Sequence, residues 1–260
     1  MSDAVPPPPP PPGQPSSGLP PVPPAPAPAP VPPSPTAGPA YLSPAFAPPA
    51  YGGPPATPEA AILRPLRSIG AATRWLVAAT ALMSVVTIAV DASGLAAIDA
   101  FVAGTAGVEA LDAYDRASQP AALAWSAVYI AAAVCWLVWQ YRAAKAVDPI
   151  YLRRTPGAHV GYWFIPFANW WWPFQNVKDL VWGSRAAVKP AVLGGWWTLW
   201  LVANLVSVFA NRQLMAAETP QSFSAALSFS ILGDALLIVT AAFAWIVVKR
   251  ITDALDPAAR

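Results

Sequence analysis

Four long uncharged runs constrain this chain more than any other feature. Trp75–Val90 carries no charge for 16 residues, Ala117–Tyr141 for 25 and Pro190–Asn211 for 22, while Thr219–Val248 is broken only by Asp234. A helix needs about 20 apolar residues to cross a hydrocarbon core of about 30 Å. Lipid offers the backbone no hydrogen-bond partners, so a spanning segment of this kind must satisfy its own amides as a helix. The first run is short, but Ile69–Thr73 extends it, and Arg74 can carry its charged head to the interface while its stem stays in lipid. The expected fold is therefore all-α: a four-helix transmembrane bundle with spans at about residues 70–91, 119–141, 191–211 and 224–248. Charged residues make up 11% of the chain, against about 25% in soluble domains. The net charge of +2 lacks the basic excess of a nucleic-acid-binding protein, so no nucleic-acid partner is expected.

The basic residues give the spans a direction. With the N-terminus inside, 13 of the 15 Lys and Arg fall in cytoplasmic segments, leaving only Arg116 and Arg212 outside. Lys and Arg favour the cytoplasmic side of a membrane, which predicts a multi-pass protein of the cell membrane with both termini in the cytoplasm. Twelve of the 13 tryptophans lie toward the same side. Indole prefers the headgroup level, with its ring in the apolar zone and its N–H near water. On that ground Trp163, Trp170, Trp171, Trp172, Trp182, Trp196 and Trp197 are expected to act as membrane-interface anchors.

The chain divides into two parts, residues 1–60 and residues 63–252. The first holds 25 of the 34 prolines, including Pro6–Pro12, and only two charges, Asp3 and Glu59. Proline fixes φ and supplies no backbone donor, so this stretch favours extended polyproline II without a packed core. It is expected to be a disordered proline-rich cytoplasmic tail. Its alternatives are a plain spacer or a ligand for a cytoplasmic protein partner that reads proline or Tyr41 and Tyr51.

The connections differ in character. Asp91–Pro120, on the outer side, spaces Asp99, Glu109, Asp112 and Asp115 among apolar residues in a helix-like way. The inner connection, Arg142–Lys189, contains the uncharged segment VGYWFIPFANWWWPF from Val160 to Phe174. Fifteen residues interrupted by Pro166 do not make a regular span, which leaves a re-entrant or a surface-lying segment. Pro173 suits the first turn of a helix. From there Phe174, Val177, Leu180, Val181 and Ser184 share one face, the pattern of an interfacial amphipathic helix. Residues 160–187 are thus expected to form an aromatic-rich interfacial segment.

The same residues carry a family resemblance. Arg64-Pro65-Leu66-Arg67 precedes the first span, and Trp139-Gln140-Tyr141-Arg142-Ala143 closes the second. Thr155-Pro156-Gly157 and Gly161-Tyr162-Trp163-Phe164-Ile165-Pro166 follow, then Leu180, Trp182, Ser184 and Gly195-Trp196-Trp197-Thr198-Leu199-Trp200. Over residues 63–250 the chain resembles the actinobacterial family called domain of unknown function 4328. Gly161, Trp163, Pro166, Asn169 and Pro173 form its loop motif, and Ala158 departs from it where an aromatic residue commonly stands. The resemblance implies a bacterial membrane protein and brings no activity with it.

Candidate chemistry is sparse. The single cysteine, Cys135, sits among Ala, Val and Trp as an apolar filler, and His159 is expected to be a solvated or interfacial loop residue. One Cys and one His do not make a zinc site, and no nucleophile–base pair is visible, so no catalytic residue, metal or cofactor is expected. Asp234 is the exception to an apolar interior, because a carboxylate at mid-membrane costs about 2.5–3.5 kcal/mol. Asn204 lies at a matching depth, which suggests an intramembrane polar pair with Ser207, Ser230 or Arg212 as further partners. The alternative places Asp234 near water below a lower membrane boundary. Arg142, Lys145, Arg153 and Arg154 are candidate contacts for anionic lipid headgroups. The function that fits is a non-catalytic, membrane-anchored structural or interaction protein; the alternative is a small transporter or channel subunit acting as an oligomer.

Overall fold

Each apolar run is the middle of a longer helix. A computed structural model describes residues 58–256, with side chains from Leu66 onward. The expectations for the proline-rich tail and its partner fall on residues outside that range, except that residues 58–60, expected in the tail, open the first helix. The long helices are α1 (Pro58–Val102), α2 (Val108–Ala146), α5 (Pro190–Met215) and α6 (Pro220–Ala254), and no strand occurs among the described residues. All four are long and apolar enough to cross a membrane. Prolines start three of them, Pro58 in α1, Pro190 in α5 and Pro220 in α6, where a missing N–H costs nothing. At α6 the Thr219 hydroxyl accepts from the Ser222 amide, and the Ser222 hydroxyl accepts from the Thr219 amide, so two orphan donors are satisfied.

The helices run past the expected span limits because nothing in the flanking sequence stops them. Leu95-Ala96-Ala97-Ile98 continues α1 beyond Asp91, and α2 begins at Val108, twelve residues before Pro120. The anticipated Asp91–Pro120 connection is therefore only residues 103–107, with Gly104 turning at φ 70°. Asp99, Glu109, Asp112 and Asp115 are exposed on the two helix extensions.

Helix α1 packs on both α2 and α6, and α6 packs on α5. Small residues allow the closest approaches, as in many membrane helix pairs. A Cβ on Gly70 of α1 would lie 2.7 Å from the Thr252 hydroxyl of α6, and that hydroxyl accepts from the Trp139 indole of α2 at 3.0 Å. Three helices thus meet at one glycine.

The connection from α2 to α5 folds over one end of the bundle. After a 3-10 turn at Pro149–Tyr151 come α3 (Pro156–Gly161), a second 3-10 turn at Ala168–Trp170, and α4 (Trp172–Ser184). Thr155 caps α3 and Pro156 opens it, so the expected turn is the start of a short helix. Pro173 stands in the first turn of α4, which ends at Arg185 in the left-handed region. Between α3 and α4, residues 162–171 form a succession of turns, with Phe167 at φ 62°. The sidedness of α4 differs from an interfacial helix. Val177, Leu180 and Val181 enter the same core as Trp139, Trp196, Val247 and Ile251, so its apolar face meets the bundle and not lipid.

Candidate functional site

Two polar locks fix the loop internally, and a third ties it to the bundle end. Asp179 of α4, buried, accepts from the Arg153 amide and from Arg153 Nε, both at 3.2 Å. Arg154 donates to Asn176 Oδ1 at 3.2 Å and to Gln175 Oε1 at 2.9 Å, and its guanidinium lies over the rings of Tyr162 and Trp172. Trp163 donates its indole N–H to Gln140 Oε1 of α2 at 2.9 Å, and Gln140 is fully buried. Burial raises the Asp179 pKa, which its bonds to Arg153 and the nearby Arg154 and Lys178 charges oppose.

His159 is not solvated, contrary to expectation. It is fully buried in α3, with neither ring nitrogen bonded to a protein group. Burial, and then the Arg154 charge, push its pKa down to about 4, so it is neutral at pH 7.

The expected interface anchors separate into two groups. Trp196 and Trp197 are 2% and 5% exposed and belong to the core, and Trp163 packs edge-on against Trp200 at 5.4 Å. Trp136 of α2 stacks on Trp196 of α5 at 5.2 Å. These indoles pack together at the loop end of the bundle. Trp172 is half-buried against Tyr162. Trp170, Trp171 and Trp182 are more than half exposed and remain open to an interface. Within the loop motif, Pro173 is buried, a Cβ on Gly161 would meet nothing, Pro166 is exposed, and Asn169 Oδ1 is buried without a protein partner.

Of the four candidate headgroup residues, Arg153 and Arg154 are turned to protein partners as above. Lys145 lies over the Tyr141 ring, 4.9 Å from its centroid, and is exposed at the end of α2 together with the half-buried Arg142.

Asp234 faces the bundle interior, but its partners are on α1. Ser84 donates to Oδ1 at 2.8 Å and Thr87 to Oδ2 at 2.6 Å, while Trp125 of α2 donates to Ser84 at 2.9 Å. Asn204 donates to the Trp200 carbonyl of its own helix at 2.7 Å, so the expected Asp234–Asn204 pair is not made. A missed pattern explains the difference. Thr73, Thr80, Ser84, Thr87 and Asp91 recur at three-, four- and seven-residue steps, which aligns them as one polar stripe of α1. Asp91, expected to end the first span, is buried within α1 beside Tyr114 of α2. Both carboxylates line a polar pocket of about 540 Å³ that also receives Ser126, Ser207 and Ser230, and no Lys or Arg lines it.

One protein-family model, described as domain of unknown function (DUF4328), matches residues 103–253. No curated protein and no solved structure matches the chain.

Two outcomes follow from this geometry. In a double-mutant cycle on unfolding in detergent, Asp234→Asn and Thr87→Val should couple by about 0.6–1.7 kcal/mol, whereas Asp234→Asn and Asn204→Leu should add without coupling. For His159, the folded pKa of about 4 lies below the unfolded value of about 6.5. The unfolded chain therefore binds the extra proton between these limits, and stability falls as pH drops from 6.5 toward 4, by about 3 kcal/mol in all. Protonation of Asp179 offsets part of this at the acidic end. Thermal unfolding followed across that range should show a shallower acid loss in His159→Phe.

Proposed function

We propose that this chain, which belongs to the DUF4328 family, is a non-catalytic interaction protein whose four spans present a folded aromatic loop at the inner face of the cell membrane. One observation carries this reading. The loop is locked from within by Arg153, Arg154 and Trp163, yet it exposes Ile150 (82%), Phe164 (72%), Phe167 (89%) and Trp171 (59%). Large apolar side chains gathered on a rigid, solvent-facing or interface-facing element mark a contact surface. The cytoplasmic placement is supported by the distribution of Lys and Arg, 13 of 15 on the loop side and its flanks. Lys145, exposed at the end of α2, supplies a cation for anionic headgroups there, worth about 1 kcal/mol near an anionic surface. The proline-rich sequence of residues 1–60 offers a further ligand for a cytoplasmic protein partner.

Site-specific photocrosslinking in native membranes tests the proposal. Probes at Phe167 and Trp171 should capture a reproducible protein neighbour, and Ile150→Ser with Phe164→Ser should abolish the capture without changing the amount of folded protein. Capture of lipid alone from these positions would reduce the loop to a membrane anchor.

A second reading, a transporter or channel subunit acting as an oligomer, has the polar pocket in its favour. Its carboxylates Asp91 and Asp234 have no cationic side chain among the lining residues, and intramembrane carboxylates recur on ion and proton pathways. Cation or proton flux into proteoliposomes that disappears in Asp234→Asn would establish it. Wild-type flux equal to that of empty liposomes would remove it.

A further inference from the structure

The pocket around Asp91 and Asp234 holds two buried carboxylates and no positive charge of the protein to meet them. Each aspartate is 9% exposed, and among the described residues neither forms an ion pair with Lys, Arg or His. Thr87 of α1 donates to Asp234, and Asp91 stands four residues further along α1, so the carboxylates sit roughly 6 Å apart along the helix axis. At that range each charge acts on the other. Two buried charges of one sign with no counter-charge are costly in a low-dielectric interior.

The neighbouring hydroxyls supply hydrogen bonds but not charge. Ser84 and Thr87 donate to Asp234, and Tyr114 meets Asp91 only at 3.5 Å. Ser207 of α5 brings its hydroxyl within 2.8 Å of where a Cβ on Gly233 would stand, next to Asp234 in the chain. A carboxylate pair accepts more bonds than these donors provide. The remaining wall is aliphatic, with Val90, Ala122, Leu214 and Leu227, while Gln119 and Asn211 stand exposed at the edge. A space of about 540 Å³ is of the size that holds a small organic molecule. It is too roomy for a bare metal ion, and no group of three His, Cys, Asp or Glu gathers among the described residues to ligate one.

We propose that this pocket binds a small organic cation, a primary ammonium on a short apolar body, with the ammonium seated between Asp91 and Asp234. Such a group has three N–H donors: one reaches each carboxylate and the third a hydroxyl oxygen such as that of Ser207. The apolar body then lies along Leu214 and Leu227. A neutral alcohol brings no charge to the pair, and a carboxylate is repelled by it. The proposal rests on the same pocket as the transporter reading and gives that pocket a ligand class, but it concerns binding and stands without flux.

The test is equilibrium dialysis of the full chain in phosphatidylcholine nanodiscs against radiolabelled n-butylammonium near neutral pH, with empty nanodiscs as the baseline. One saturable site per chain is expected. Unlabelled butylammonium should compete, whereas butanol, butyrate and sodium at the same concentration should not. Asp91→Asn and Asp234→Asn should each weaken binding by roughly tenfold or more, the effect of losing one charge-assisted hydrogen bond. Asp99→Asn, at the exposed end of α1, should leave it unchanged. If Asp234→Asn does not fold, Asp91→Asn and the series of competitors decide. Uptake no greater than that of empty nanodiscs would mean that the carboxylates need no guest and would overturn the proposal. Equal competition by sodium, or binding that survives both substitutions, would overturn it too. Proton or sodium flux without butylammonium binding would remove this proposal and keep the transporter reading, and binding without any flux would do the reverse.

Discussion

Indole packing at the loop end is the interaction on which the rest of this fold depends. Helices α2 and α5 approach each other less closely than the pairs α1–α2, α1–α6 and α5–α6, and the gap is bridged by Trp136 stacked on Trp196. Large flat rings hold helices apart as well as together. That separation admits Trp163 from the loop, whose N–H reaches the buried Gln140, and so fixes the loop to the bundle. Small residues act in the opposite sense where α1 meets α6, at Gly70 and Thr252.

The two ends of the bundle consequently differ in chemistry. At the loop end, rings and aliphatic side chains line an apolar cavity with no charged residue in its wall. Toward the other end, hydroxyls converge on Asp234, and Asp91 sits beside Tyr114. Each buried carboxylate gets its partners from a neighbouring helix, so the polar groups that oppose membrane insertion also hold α1, α2 and α6 in register.

The spans were legible in the sequence because lipid imposes a length and composition on any helix that crosses it. Their limits were less so, because α1 and α2 continue through Asp91 and Pro120 for reasons of local helix propensity that hydropathy does not register. Tryptophan misled in a specific way. An indole near the end of a span suits the headgroup zone and a packed core equally well; Trp196 and Trp197 are buried in the core, and Trp163, partly buried, donates to Gln140. The partner of Asp234 was missed because matching depth does not fix which way a helix faces. Asn204 had the depth, but Ser84 and Thr87 had depth and direction. His159 was beyond reach of pattern reading, since its burial arises from α3 folding back over α2.

The uninterrupted run of α1 has a mechanical meaning. From Leu66 to Val102 it contains no proline, and 37 helical residues span about 55 Å against a hydrocarbon thickness of about 30 Å. With the start of α2 it forms a two-helix extension past Asp91, tipped with the exposed Asp99, Glu109 and Asp112. A stiff rod does not tilt at one end alone. Torque applied at this tip arrives at Ser84 and Thr87, so anything that grips the acidic tip also pulls on the hydroxyls that hold Asp234.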